Sequence, residues 1–292
     1  MILKKCYMKN ALTYFIVLCL SLMALRCAEI PPVVSPIINQ GECPAVAASA
    51  VANQPRNVLI EEFTGVRCVN CPAGAQAIEA LLNQYGDRLV AISIHAGFFA
   101  PPYPESRFDF RTPAGTQILT LLGEPLGYPT AVVNRRKFPG EFDMQLGQSQ
   151  WPGFVQQELA VPPKVRLAIN RTFNATSRDL TVDVSILPQE TITSSDVRLS
   201  VAILEDKIAD YQLTPAGKQA DYIHKHVLRG LLTNADGNLL QEPMEAGNRF
   251  CKRYTTTIPD TWKAADCKIV AFVSLGGSSK EVLQVLQVKM VP

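Results

Sequence analysis

Two cysteines three positions apart, Cys68 and Cys71 in Cys68-Val69-Asn70-Cys71-Pro72, carry the clearest chemistry in the 292-residue chain. They follow an apolar run and open a segment with helical periodicity, the context in which such a pair becomes a redox candidate. The spacing brings both sulfurs to one side of the first turn, within reach of a disulfide. A helix N-terminus stabilises a thiolate through its dipole and free N–H groups, and Arg67 adds positive charge. Cys68 is expected to be the exposed attacking thiol, with Cys71 resolving the mixed disulfide formed with a substrate. Pro72 is harmless if Asn70 caps the helix and costs one hydrogen bond if Cys68 does. The plainer alternative is a structural disulfide. No second Cys or His pair lies at ligand spacing nearby, so neither zinc nor a cofactor is expected.

Other polar residues stand near this motif. Glu62 lies six residues before Cys68 on the preceding apolar run, and Pro129-Thr130 opens a later one. Glu62 could equally be a solvated or salt-bridged strand residue. His95 ends a strand near the expected site and reads as structural. His224 and His226 alternate on a strand candidate and read as surface or core residues rather than ligands. Phe98, Phe99, Tyr103, Phe108 and Phe110 crowd a Pro-rich loop. They could form a platform for an unfolded client, but packing onto their own domain is the favoured reading.

The elements that must hold these residues follow from periodicity. Val58 to Phe63 is a strand, Ala73 to Tyr85 a helix ending at Gly86, and Leu89 to Ile94 a strand. Pro113 to Leu122 is a second helix and Thr130 to Asn134 a third strand. That alternation is an α/β signature. Pro162-Pro163 marks a boundary, after which the period switches to two. Val165–Ile169, Leu180–Ile186, Val197–Ile203, 223–232, 249–257, 267–275 and 282–290 read as seven strands of an antiparallel β-sandwich.

The ends and the charge set the compartment. Of 28 basic and 26 acidic residues, Lys4, Lys5, Lys9 and Arg26 fall in the acid-free first 26 positions, so the remainder is slightly acidic. Nucleic acid is not an expected partner. The basic opening precedes the 15-residue apolar run Ala11 to Leu25, the pattern of an export signal. Residues 1–26 are assigned to that signal, and residues 27–56 to lipid attachment at Cys27 followed by a Pro-rich tether, although the residue before a lipidated cysteine is usually small and here is Arg26. Outer-membrane anchoring through that lipid is the expected location, with a periplasmic or secreted protein as the alternative. In an oxidising compartment Cys43, Cys68, Cys71, Cys251 and Cys267 remain, an odd number. Cys251 and Cys267 lie equidistant from Pro259 in a turn-like Ile258-Pro259-Asp260, so they are expected to pair, leaving Cys43 over.

With VLIEEFTGVRCVNCP in front and GYPTAVVNR behind, residues 57–160 resemble the thioredoxin-like superfamily. The resemblance implies that Glu62 relays protons for the resolving cysteine, that Pro129 is a cis-proline facing the disulfide, and that the partners are protein thiols or disulfides. The Val-Asn dipeptide is not the pair of the well-known reductases or oxidants, which leaves the direction of electron flow open. The export signal, EEFTG, the CxNCP motif, GYPT, HKHVLRG and CKIVAFV together resemble the twenty-eight-kilodalton outer-membrane protein family of Gram-negative lipoproteins and surface antigens. That resemblance implies a thioredoxin-like domain over 57–160 and a β-sandwich over 164–292. It leaves two functions open, thiol–disulfide exchange or surface adhesion through the sandwich.

Overall fold

The computed structural model describes residues 43–291. The expected export signal, the lipid site at Cys27 and the first part of the tether lie outside the described residues. Those that are described fall in one compact unit.

The first strand, β1 (Val58–Thr64), is buried along its whole length, as is β2 (Leu89–His95). Burial on both faces suits parallel strands covered by helices, and the two pair in parallel from Val58↔Leu89 to Thr64↔His95. Helix α1 (Cys71–Tyr85) makes the crossover between them. Asn70 is its N-cap, so Pro72 falls in the first turn, where no helical hydrogen bond is lost. After α2 (Pro113–Leu122), capped by Thr112 Oγ1 accepting from Gly115 N, strand β3 (Thr130–Val133) pairs antiparallel with β1. A short β4 (Leu146–Gly147) follows, then α3 (Trp151–Leu159). Trp151, Val155 and Glu158 give α3 a buried face at helical spacing, and the Trp151 indole N–H donates to the Leu146 carbonyl at 2.9 Å.

Beyond Pro162-Pro163 the chain turns to strands, as its period-two pattern predicts, with one 3-10 turn at Ala264–Asp266 and the expected strand 223–232 broken at 225–226. The strands are β5 (Val165–Phe173), β6 (Asp179–Pro188), β7 (Val197–Glu205), β8 (Ile208–Thr214), β9 (Gly217–His224), β10 (Val227–Leu231), β11 (Asn238–Leu239), β12 (Phe250–Thr257), β13 (Cys267–Leu275) and β14 (Val282–Lys289). They do not form a separate layer pair. The large sheet runs β14-β13-β7-β10-β2-β1-β3-β4, drawing strands from both sides of the proline pair, with β10 meeting β2 in parallel at Val227↔Ser93. A second sheet, β12-β6-β5, lies over the β7–β13 end, and Val165, Leu167, Val182 and Val184 pack there with Leu199, Val201, Ile269 and Ala271. The architecture is thus mixed α/β with a sandwich of antiparallel strands at one end. Helices α1 and α3 cover one face of the β1–β3 region and α2 the other.

Two expectations need correction. Cys251 is bonded to Cys43, with Cα atoms 5.4 Å apart, and Cys267 is a buried free thiol. The reason is topological: β12 pairs with β6, placing Cys251 opposite Ser185, whereas β13 pairs with β7, placing Cys267 opposite Glu205. The strands flanking Pro259 therefore belong to different sheets and form no hairpin. Nor do residues 43–56 hang free as a tether. Besides the disulfide, Val46 N donates to Ser185 Oγ, and Gln54 exchanges two hydrogen bonds with the Leu167 backbone at 2.8 and 2.9 Å. Arg56, buried, reaches Glu158 Oε2 at 2.8 Å and the Val282 and Leu283 carbonyls.

Candidate active site

The end of β1 turns through Gly65 into the cysteine loop, where Cys68 N donates to Gly65 O and Cys71 N to Cys68 O. Cys68 and Cys71 are joined, Cα to Cα 5.4 Å. Cys71 is the first helical residue and Cys68 precedes the cap. The expected exposure of Cys68 is not found: both cysteines are 2% exposed, while Val69 between them is 40% exposed. Two segments cover the pair. Loop 97–111 crosses Gly65 so closely that a Cβ there would lie 2.3 Å from the Phe99 backbone, which makes that position glycine-only. The β8–β9 hairpin, paired with neither larger sheet, supplies Gln212, whose Nε2 donates to the carbonyls of Cys68 at 3.0 Å and Gly65 at 3.3 Å. Leu213 N donates to Val66 O at 2.7 Å.

Arg67 does not point at the sulfurs. Its guanidinium donates to Pro101 O and Pro102 O at 2.7 and 2.6 Å and lies over the Tyr103 ring, fastening the loop. Of the aromatic crowd, Phe110 is buried, Tyr103 and Phe108 pack beside it with Val66, Ile208 and Val227, and Phe98 stays 83% exposed. The loop is therefore packed onto its own body, with Phe98 as an outlier.

Behind the disulfide the structure brings together residues far apart in sequence. The Tyr128–Pro129 peptide bond is cis. Gly74 in the first turn of α1 sits against both other candidates: a Cβ there would be 2.7 Å from Glu62 Oε1 and 2.7 Å from Pro129 Cβ. Any larger residue would lift the helix start off Glu62 and Pro129. Glu62 is fully buried, accepts from Ser93 Oγ at 3.1 Å through Oε2, and leaves Oε1 without a partner. Burial pushes its carboxyl up to about 8, against the Ser93 hydrogen bond, so it is protonated at neutral pH. His95 is buried with Nδ1 unpartnered, and burial first, then the charge of His224, holds it well below the usual imidazole range.

His224 and His226 part company. Strand β9 ends at His224, which is buried among Phe110, Tyr222 and His95 and pushed down to about 4 by burial. His226 has left-handed backbone (φ 55°) and contacts Glu79 at 2.9 Å and Asp206 at 3.3 Å. Sequence reasoning missed Gly74, Ser93 and Gln212. A serine inside the apolar run Leu89–His95 was a visible signal; nothing in the sequence pointed from Gln212 to Cys68. Among the described residues no cluster of three or more metal-binding side chains occurs.

A buried disulfide at a helix start, backed by a protonated carboxyl and a cis-proline, defines a disulfide-bearing α/β sheet continuous with a β-sandwich. A model of outer membrane protein Omp28 matches residues 124–292, and the chain belongs to that family, whose association is with the outer membrane. Among solved structures, HBP35 of Porphyromonas gingivalis shares the fold at TM-score 0.66 and 20% identity, over 81% of this chain and 76% of that one. A protein of Agrobacterium tumefaciens (TM-score 0.48, 13% identity, 80% of this chain and 94% of that one) is more distant. So is a domain of the outer membrane lipoprotein Omp28 from P. gingivalis (TM-score 0.30, 23% identity, 44% and 88%), and neither bears on the argument. No curated protein matches. Among the described residues no helix is long and apolar enough to cross a membrane.

Proposed function

We propose that the protein is exported, held at the outer membrane by a lipid on Cys27, and exchanges thiols and disulfides with protein substrates through a thioredoxin-like region built on β1–β4 and α1–α3. The observation that supports this reading is the contact of Glu62 and cis-Pro129 with Gly74, one turn from the Cys68–Cys71 bond. A client thiolate attacks Cys68 Sγ, forming the mixed disulfide. The Cys68–Cys71 bond breaks, its electron pair stays on Cys71 Sγ, and Glu62 supplies the proton that makes the Cys71 thiol. A second client thiolate then attacks the client sulfur, and Cys68 leaves as a thiolate near the positive end of α1. The client is oxidised and the protein reduced; the reverse sequence runs with the same groups.

The burial of both cysteines under the hairpin favours a second reading, in which the bond is structural and the sandwich makes surface contacts as an adhesin. Two measurements separate them. Cys71→Ser should trap client mixed disulfides that Cys68→Ser does not, whereas equal trapping by both or by neither overturns the redox assignment. A reduction potential below about −300 mV marks the bond as structural. Mass spectrometry of the mature N-terminus tests the lipid, and an unmodified end beyond residue 27 removes it.

A further inference from the structure

Glu62 is only 2% exposed. A buried acid that gives a proton in one half of a thiol exchange and takes one in the other needs a route between itself and water. Its two carboxyl oxygens face different neighbours. Oε1 packs toward Gly74 and Pro129 at the helix start and has no hydrogen-bond partner. Oε2 lies 3.1 Å from Ser93 Oγ, and among the described residues Ser93 is the one side chain that hydrogen-bonds to Glu62.

The register of the strands puts this serine where it stands. Ser93 is opposite Glu62 in the parallel β1–β2 pair and opposite Val227 where β10 meets β2, and its N donates to His226 O at 2.8 Å. With a strand on each side its backbone is fixed, and paired positions on adjacent strands share a face, so its hydroxyl stands beside the Glu62 carboxyl. Burying a hydroxyl in an apolar strand is costly unless it is hydrogen-bonded. Between α1 and β9 lies a cavity of about 470 Å³, room for several waters. Its lining runs from the buried Glu62 and Ser93 to the exposed Gln76, Asn83 and Lys225. His95, His224 and Tyr222 also line it, as do Glu79 and His226, which bond to each other, and none of these hydrogen-bonds to Glu62.

We propose that Ser93 is a positioning residue for the exchange, its hydroxyl passing protons between Glu62 Oε2 and water in the cavity. This rests on the thiol-exchange reading above. When the Cys68–Cys71 bond is reduced, Glu62 gives its resident proton to Cys71 Sγ and is left a carboxylate. An acid in the cavity water then protonates Ser93 Oγ as the serine's own proton moves to Oε2, and Glu62 is restored. Burial keeps it protonated at neutral pH. Oxidation runs the other way. Glu62 first sheds its proton to Ser93, which passes one on to the water. The carboxylate then takes the Cys71 proton, and the Cys71 thiolate attacks Cys68 Sγ of the mixed disulfide, releasing the client thiolate. Reduction therefore starts with its proton in place, whereas oxidation waits for the relay.

The test follows the two half-reactions separately at pH 7, by acid quench, alkylation and peptide mapping of Cys68 and Cys71. Dithiothreitol reduces the oxidised protein, and excess hydroxyethyl disulfide re-oxidises the reduced one. Ser93→Thr and Ser93→Val have the same shape and differ in a hydroxyl against a methyl. The threonine variant is expected to re-oxidise within about threefold of the parent and the valine variant at least about tenfold more slowly, with reduction of both within about threefold of parental. Ser93→Ala, which adds no bulk, is slowed in oxidation in the same sense. In a Glu62→Gln background the threonine and valine variants re-oxidise at the same rate, because the relay has no carboxyl to serve. The proposal is overturned by parental oxidation rates in both the valine and alanine variants, by equal slowing of the two half-reactions, or by a threonine–valine difference that persists with Glu62→Gln. Trapping of clients by Cys71→Ser together with equal threonine and valine rates removes the relay alone, whereas absence of trapping removes the exchange reading and the relay with it.

Discussion

Burial lifts the Glu62 carboxyl from 4.5 to about 8, so across that interval the folded chain keeps a proton that the unfolded chain releases. The stability linked to this group is full below about pH 4.5 and is lost as pH rises through 8. Glu62→Gln removes the dependence. Urea unfolding of parent and variant should show the variant gaining on the parent by about a few kcal/mol between pH 5 and pH 9, with His95 and every other titrating group common to both. A constant difference would mean that Glu62 is already ionised in the folded protein. Cys267 is the counterpart among the thiols: burial, then the charge of Glu205, pushes it up to about 12. It should resist iodoacetamide at pH 8 in the native protein and react fully once unfolded, as read by intact mass. The positions of Glu62 and the CxxC pair were legible because charge and sulfur stand out against apolar runs. Cys267 was misjudged because symmetry about Pro259 says nothing about which sheet each flanking strand joins.

At the scale of elements, the β8–β9 hairpin decides how the disulfide meets solvent. An isolated two-stranded hairpin is marginal by itself, and this one is held by Gln212, by Asp210 accepting from Phe108 N at 2.8 Å, and by Lys218 paired with Glu105 at 2.8 Å. Gln212→Ala removes the bonds to the Cys68 and Gly65 carbonyls, at a cost of about 1–3 kcal/mol in stability. Dithiothreitol should then reduce Cys68–Cys71 several-fold faster while reduction of Cys43–Cys251 is unchanged, measured by timed alkylation and peptide mapping. Equal rates in parent and variant would show that the hairpin does not shield the bond. The hairpin was not legible in the sequence, because β9 is exposed along most of its length and lacks a clean alternation. Helix α3 was legible in principle from Trp151, Val155 and Glu158. Its short length, next to a proline pair that reads as a boundary, hid it.

Across the whole molecule, the proline pair changes the type of structure without ending the sheet, since β7, β10, β13 and β14 continue it. Periodicity announces strands but not their neighbours, so the sandwich was legible and the shared sheet was not. The halves are also joined by buried charge, with Arg135 bidentate on Glu61 and stacked over Phe272. The Cys43–Cys251 bond spans 208 positions. Replacing both residues by alanine should cost about 2–5 kcal/mol in urea unfolding without disturbing the other disulfide. No change would mean that the hydrogen bonds of Val46 and Gln54 alone hold the segment. The same bond has a mechanical consequence. It closes residues 43–251 into a covalent ring, so tension between the two ends of the chain enters at Cys43, crosses the sulfurs to β12, and is borne by residues 252–291. Strand β1, the cysteine loop and the hairpin lie inside the ring, off the covalent load path, and a protein pulled from both ends places no backbone tension on the Cys68–Cys71 loop.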